Sequence, residues 1–339
     1  MDTTLAPPRV TVLMPVYNGA RYLRDAMDSI LAQTYADFEF LIVDDGSTDE
    51  SVEIIRSYTD PRIRLERNGM NRGLVYSLNR GISLARGGYV ARMDCDDISL
   101  PQRLAEQVAY LDKHRDIAVC GTWVKTLGER AAAYEYFLDP EDIKASLLFT
   151  TSLAHPTVML RKSLLKEAGL EYDPAHAHAE DYGLWVSLVH AGYKLANLPL
   201  VSLLYRRHVA SVSAAHSKAQ KETASGIRNA QLAWLGIDAS AEHMEIHNGI
   251  KGGENFVRDA EAWLTTILNA NKTSRVYSQL SLGRVVYRRW RTICGANAGS
   301  GLMTWRMFIR SPLSHLAGRR ERYLDSAKFF IKGLLARPG

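Results

Sequence analysis

A strand buried on both faces leaves a continuous apolar run instead of an alternating one, and such runs recur with helical segments between them in the first third of this chain. Val10–Val16 is the first run, and Tyr22, Leu23, Ala26, Met27, Ile30 and Leu31 follow at helical spacing. Phe38–Val43 is the second, closed by the turn residues Asp44-Asp45-Gly46-Ser47. Ser51–Tyr58 reads as a helix, Arg62–Glu66 as a short strand, and Leu74–Ala85 as a helix ended by Gly87-Gly88. Tyr89–Met93 is a strand running into Asp94-Cys95-Asp96-Asp97, after which Ser99 is expected to cap a helix with Pro101 in its first turn. This alternation predicts an α/β fold, a mostly parallel central sheet with helices on both faces. Ligands of such sheets sit at the carboxyl ends of the strands, which is where the aspartates fall. Further on, Ile117–Val124 reads as a strand, Ser163–Ala168 and Tyr182–His190 as helices, and Lys194–Arg206 as one or two strands. From about Ser217 the chain reads as wholly helical.

The 339 residues, 46% of them hydrophobic, suffice for one large domain plus an appendage. No stretch reaches the roughly 20 apolar residues of a membrane-spanning helix, and Met1–Arg9 lacks the apolar core of a secretory signal. The cysteines, Cys95, Cys120 and Cys294, are three and far apart, which makes neither a disulfide framework nor a zinc pattern and suits a reducing cytoplasm. Charge divides the chain. Residues 1–270 carry 28 Lys and Arg against 35 Asp and Glu, a net −7, whereas residues 271–339 carry 14 against 2, a net +12.

Three carboxylates within four residues repel one another, so Asp94, Asp96 and Asp97 call for positive charge at that turn. Hard oxygen ligands suit Mg²⁺ or Mn²⁺ better than zinc; the other reading of a bare acidic turn is a solvated surface. Its context narrows the choice. Pro15-Val16-Tyr17-Asn18 follows the first strand, Asp44-Asp45-Gly46-Ser47-Thr48-Asp49 the second, and Asn71-Arg72-Gly73 precedes a helix. Ala91-Arg92-Met93-Asp94-Cys95-Asp96-Asp97, Ala179-Glu180-Asp181-Tyr182 and Tyr205-Arg206-Arg207-His208 complete the series. In this order the six elements resemble the family-2 inverting glycosyltransferases of the glycosyltransferase A fold, the nucleotide-diphospho-sugar transferase type. The likeness covers residues 8–215, which defines an expected catalytic domain; residues 216–339 form an expected basic, helical C-terminal extension without such a likeness.

The resemblance implies roles residue by residue. Tyr17 stacks on the donor base, with Pro15 and Val16 shaping its pocket, and Asp45 accepts a hydrogen bond from the base; Asn71 also belongs to the donor site. Asp94 contacts ribose or phosphate, Asp96 ligates the metal, and His208 is a further metal or diphosphate ligand. From the residues alone, Tyr17 also reads as a core aromatic, Asp45 as a turn former, and Asp97 as either a second ligand or a helix cap. Asp181 is the candidate catalytic base, with Glu180 holding the acceptor or orienting the base; the plain alternative is an acidic pair capping a helix. A helix N-terminus favours an ionised carboxylate, which predicts an Asp181 that is deprotonated at neutral pH.

The activity so implied is transfer of a sugar from a nucleotide-sugar donor, a UDP-sugar, to a glycan or lipid-linked saccharide in bacterial surface polysaccharide and cell-envelope synthesis, with Mg²⁺ or Mn²⁺ as cofactor. A sugar nucleotidyltransferase is disfavoured, because no Gly-rich phosphate loop follows the first strand. A non-catalytic glycan- or membrane-binding protein on the same fold is disfavoured by the intact Asp94, Asp96 and Asp181. In the basic tail, aromatics interleave with cations at Tyr287-Arg288-Arg289-Trp290-Arg291, Trp305-Arg306-Met307-Phe308 and Lys328-Phe329-Phe330. Such helices suit an anionic membrane surface, here the inner face of the cell membrane, while inward packing or an oligomer contact is the alternative. Nucleic acid is not expected as a partner of so acidic a body.

Overall fold

A computed structural model describes residues 6–128, 131–207, 217–250, 253–300 and 302–335. The elements run β1 (Val10–Val16), α1 (Ala20–Leu31), β2 (Phe38–Asp44), α2 (Ser51–Arg56), β3 (Ile63–Arg67), α3 (Leu74–Leu84), β4 (Tyr89–Arg92), β5 (Ile98–Ser99), α4 (Arg103–Lys113), β6 (Ile117–Thr126), β7 (Ala133–Tyr134) and α5 (Pro140–Ser146). They continue with β8 (Met159–Arg161), α6 (Lys162–Ala168), α7 (Glu180–His190), β9 (Lys194–Tyr205), α8 (Ser217–Trp234), α9 (Ala241–Asn248), α10 (Glu254–Ser274), α11 (Gln279–Asn297), α12 (Leu302–Arg310) and α13 (Arg319–Leu335). Two compact units result, one of residues 1–140 and 151–224, the other of 141–150 and 225–339.

The first unit holds the sheet, ordered β3-β2-β1-β4-β8-β6-β9-β5 with β7 on β6. Its long ladders, β1 with β2, β2 with β3, β1 with β4 and β6 with β9, are parallel. The antiparallel ladders β4–β8, β6–β8, β6–β7 and β5–β9 are two or three residue pairs each. Those short strands carry no periodicity of their own, which is why only the long ones are legible in the sequence. Side chains alternate across β1. Val10, Val12, Met14 and Val16 face the core built with Leu23, Met27 and Ile30 of α1 and Leu104, Val108 and Leu111 of α4. Leu13 points the other way, onto α3, where any side chain at Gly81 would run into it. Helices therefore cover both faces.

One expected cap is absent. Ser99 lies in β5, where its Oγ accepts from Gln33 Nε2 (3.2 Å), and α4 begins after Gln102, which makes no side-chain capping bond. Sheet pairing claims Ser99 before the helix begins.

The second unit is helical. Residues 141–150 join it through Gln231, whose Nε2 donates to the Leu147 carbonyl (2.8 Å), and through Arg284, paired with Asp142 at 2.7 Å. Trp290 and Phe308 are wholly buried, and Trp305 is half-buried with its Nε1 donating to Ser326 Oγ at 3.0 Å. The tail aromatics expected on a membrane surface are thus largely core, Phe330 excepted, because the basic segments turn most of their aromatics toward neighbouring helices. Among the described residues, no helix is long and apolar enough to cross a membrane.

Candidate active site

The loops after β1 and β2 are stitched together at the carboxyl edge of the sheet. Asn18, with φ at 50°, donates its backbone N–H to Ser47 Oγ (3.0 Å) and accepts from the Thr48 N–H at Oδ1 (2.8 Å). Gly19 N–H donates to Ser51 Oγ and Ala20 N–H to Asp49. Asp44, fully buried at the end of β2, pairs with Arg67 at 3.1 Å and receives the Ser47 N–H. Gly46 at φ +77° lies so close under the next loop that a Cβ there would come 2.5 Å from the Met70 backbone.

The expected donor residues gather at this edge. Pro15 and Val16 end β1, with Val16 buried in the core and its carbonyl accepting the Asp45 N–H at 2.8 Å. Tyr17 is 49% exposed at the mouth. Asp45 is buried, and its carboxylate accepts from Asn68 Nδ2 (2.7 Å), Arg72 N–H (2.9 Å) and Gly73 N–H (2.8 Å). That carboxylate holds the 68–73 loop in place. Asn71, exposed, accepts from the same Gly73 N–H at 3.0 Å.

Next to this edge, β4 delivers Asp94, Asp96 and Asp97. One carboxylate oxygen from each lies within 4.8 Å of the others, which among the described residues is the one such group of three or more His, Cys, Asp or Glu. The turn is pinned by Arg206, the residue that follows β9. Arg206 donates its N–H to Asp97 Oδ1 (2.8 Å) and Nε to the Asp96 carbonyl (2.8 Å), while its guanidinium pairs with Asp25 (3.0 Å) and stacks 4.4 Å over Tyr22. Cys95, packed against Gly19, fills the gap behind; burial pushes its thiol well up, so it is a neutral packing group. Asp97 caps no helix. Its Oδ2 is buried without a hydrogen-bond partner, and burial with the charge of Asp94 pushes its carboxyl up to about 8. An orphaned carboxylate oxygen among three carboxylates fits a hard divalent cation.

Much of the positive charge the turn requires is protein-borne. Arg92, itself buried, grips Asp94 through Nη1–Oδ2 (2.6 Å) and Nη2–Oδ1 (2.5 Å). Fully buried Arg103 donates Nη2 to the Arg92 carbonyl (2.6 Å), and burial and Arg92 push it down to about 9. A cation is therefore not the sole relief of the repulsion, as the bare turn suggests. Sequence reasoning gives Arg92 no role, although it stands in the Ala91–Asp97 motif. The signal for one is a charge inside an otherwise apolar strand, since burying it demands a partner.

Arg92 also feels Tyr172 and Glu180, and Asp94 feels Glu180, so the start of α7 is within electrostatic reach of the aspartate turn. Tyr172 is buried, held by Asn79 through two hydrogen bonds (2.8 and 3.0 Å), and its hydroxyl meets His155 Nε2 at 2.9 Å. Burial and Arg92 keep His155 neutral. Burial and then Glu180 push Asp181 up to about 7, against the backbone N–H groups at the helix start and Arg92. The expectation of a fully ionised Asp181 is corrected: burial and a like charge outweigh the helix N-terminus. His208 lies outside the described residues.

Residues 11–168 match the profile of glycosyl transferase family 2. An uncharacterized glycosyltransferase of Haemophilus influenzae is 31% identical over 248 residues, 68% of this chain and 76% of the relative. The chain belongs to glycosyltransferase family 2. A family relative from Escherichia coli, the UDP-Glc:alpha-D-GlcNAc-diphosphoundecaprenol beta-1,3-glucosyltransferase WfaP, is 28% identical over 206 residues, 60% of this chain and 80% of its own. Among solved structures, S. aureus TarS 1-349 in complex with UDP-GlcNAc superposes with TM-score 0.55 at 17% identity, over 95% of this chain and 89% of that one. The mannosyltransferase PcManGT of Pyrobaculum calidifontis, in complex with GDP-Man and Mn2+, gives 0.51 at 18%, over 99% and 91%. At these identities the structural likeness carries the fold, and this family-2 chain shares it.

Proposed function

We propose that this glycosyltransferase is an inverting, metal-dependent enzyme that moves a sugar from a UDP-sugar to a saccharide or lipid-linked saccharide during synthesis of a bacterial surface polysaccharide. The carrying observation is the Asp94-Asp96-Asp97 cluster at a strand end within electrostatic reach of Glu180, with buried Arg92 paired to Asp94 and feeling Glu180 as well. The relative WfaP, named for a UDP-glucose donor and a diphosphoundecaprenol-linked acceptor, and TarS bound to UDP-GlcNAc support the donor and acceptor classes. The Mn2+ complex of PcManGT supports the cofactor.

In this reading the donor base lies against Tyr17, with Pro15, Val16, Asp45 and Asn71 framing its pocket, and Asp94 meets ribose or phosphate. Asp96 and Asp97, joined by His208 on the strength of the resemblance, hold Mg²⁺ or Mn²⁺. When bound, the cation offsets the charge of the nucleoside diphosphate leaving group. Asp181 takes the proton from the acceptor hydroxyl as that oxygen bonds to the anomeric carbon and the carbon–phosphate-oxygen bond breaks on the opposite face. Burial, with Glu180 adding to it, raises the Asp181 carboxyl to about 7, where a base is both available and strong enough. The chemistry is assigned to residues 8–215, and the residues after about 270, within the extension 216–339, bring the enzyme to the inner face of the cell membrane from the cytoplasm.

The test is release of UDP from a panel of UDP-sugars with Mn²⁺ and a saccharide acceptor. Wild type should release UDP and Asp96→Ala should not, with weaker metal-dependent UDP affinity. A folded Asp96→Ala protein with unchanged metal-dependent affinity would move the cation elsewhere.

A further inference from the structure

The helix α13 has two apolar sides, and one is used. Toward the protein, Phe329 packs edge-on against Phe308 (ring centroids 4.9 Å apart) and Gly333 is buried. Asp325 on the same side accepts from Tyr287 Oη at 2.8 Å. On the other side Tyr323 (73% exposed), Leu324 (49%), Phe330 (37%), Ile331 (55%), Leu334 (58%) and Leu335 (77%) stand in solvent. At 3.6 residues per turn these six fall within an arc of about 140°. Exposed Arg319, Arg320, Lys328 and Lys332 lie along or beside that arc. The neighbouring α12 adds exposed Ile309, Arg306 and Arg310, and its Trp305 meets Phe330 edge-to-face, ring centroids 5.0 Å apart.

We propose that this outward arc of α13 is the surface that seats the enzyme on an anionic lipid bilayer, lying flat at headgroup depth. The proposal rests on the membrane reading above and assigns it to one helix face. Charge selects the occupant. Residues 271–339 carry 14 Lys and Arg against 2 Asp and Glu, so a second copy would bring a strongly positive tail against another, whereas anionic headgroups complement it. An apolar arc rimmed by cations is the form that interfacial helices take. The Arg-Trp segment around Trp290, which the sequence alone puts forward, is excluded because Trp290 is wholly buried.

The test is co-sedimentation of the full chain with vesicles of phosphatidylcholine alone or mixed with phosphatidylglycerol, comparing wild type with Leu324→Gln/Ile331→Gln/Leu334→Gln. All three positions are exposed, so the variant should keep the wild-type thermal melt, and Arg320→Gln/Lys332→Gln gives a second variant that leaves the apolar arc intact. Wild type should pellet with the phosphatidylglycerol vesicles and not with phosphatidylcholine alone, and both variants should partition at least about tenfold less. Equal pelleting of wild type and both variants would leave membrane binding standing and remove α13 as its surface. No pelleting of wild type with either vesicle would overturn the membrane reading itself. A wild-type dimer in light scattering, broken by the triple variant with no change in pelleting, would make a second copy the occupant and overturn the proposal.

Discussion

The guanidinium of Arg92 meets both oxygens of Asp94, at 2.6 and 2.5 Å, from inside the strand that carries the aspartate turn. The pair joins a buried cation to a carboxylate of the proposed donor site, and the same cation stands within electrostatic reach of Glu180. Breaking it removes the cation that most directly offsets the repulsion of Asp94 by Asp96 and Glu180. Arg92→Leu is expected to lose stability in urea unfolding, by less than the about 3–5 kcal/mol of a fully buried pair because Asp94 is partly exposed. Arg92→Lys, a point charge without the fork, should recover part of the stability and less of the UDP affinity.

Asp181 should set the acid limb of the pH–rate profile. Its carboxyl is pushed up to about 7 by burial and Glu180, and only the ionised form takes a proton. The limb in kcat/KM should therefore fall below about pH 7, far above the ordinary aspartate range. Glu180→Gln removes the like charge and should move the limb to lower pH; a limb that stays in place would take Glu180 out of the pair. Asp181→Asn should bind donor normally and lose about two to four orders of magnitude in turnover.

Asp45 accepts three hydrogen bonds from Asn68, Arg72 and Gly73. Asp45→Ala leaves a loop without its anchor, and its part-buried N–H donors lose a charged acceptor, at a cost below the about 1–3 kcal/mol of a fully buried group. The variant should melt several degrees lower and bind UDP more weakly, as read by thermal shift with and without nucleotide.

Trp290 is buried completely, with its Nε1 donating to Ser314 Oγ at 3.1 Å. Trp290→Ala should destabilise the helical unit by about 3–5 kcal/mol in urea unfolding. A variant as stable as wild type would contradict its place in the core.

Residues whose meaning is local are legible in the amino-acid sequence alone. The apolar runs Val10–Val16 and Phe38–Val43 are buried strands because a strand covered on both faces must be apolar at every position, and that pattern needs no partner to be read. The acidic turn after Tyr89–Arg92 is visible for the same reason: a strand end and three carboxylates are neighbours in the chain. What the sequence leaves open depends on groups brought from afar. Arg206 reaches Asp97 across 109 positions, and β8, three residues long, closes the sheet between β4 and β6 without a pattern of its own. The charge state of Asp181 escapes a local reading because a helix N-terminus is a property of the nearby chain, whereas burial is decided by everything packed around the group. In the tail, composition marks a basic, aromatic-rich stretch, but many of its segments are apolar enough to face inward. Packing chose Trp290 and Phe308 for the core and left Tyr323, Ile331 and Leu335 in solvent, because a helix has room for one buried face and only its neighbours determine which one it is.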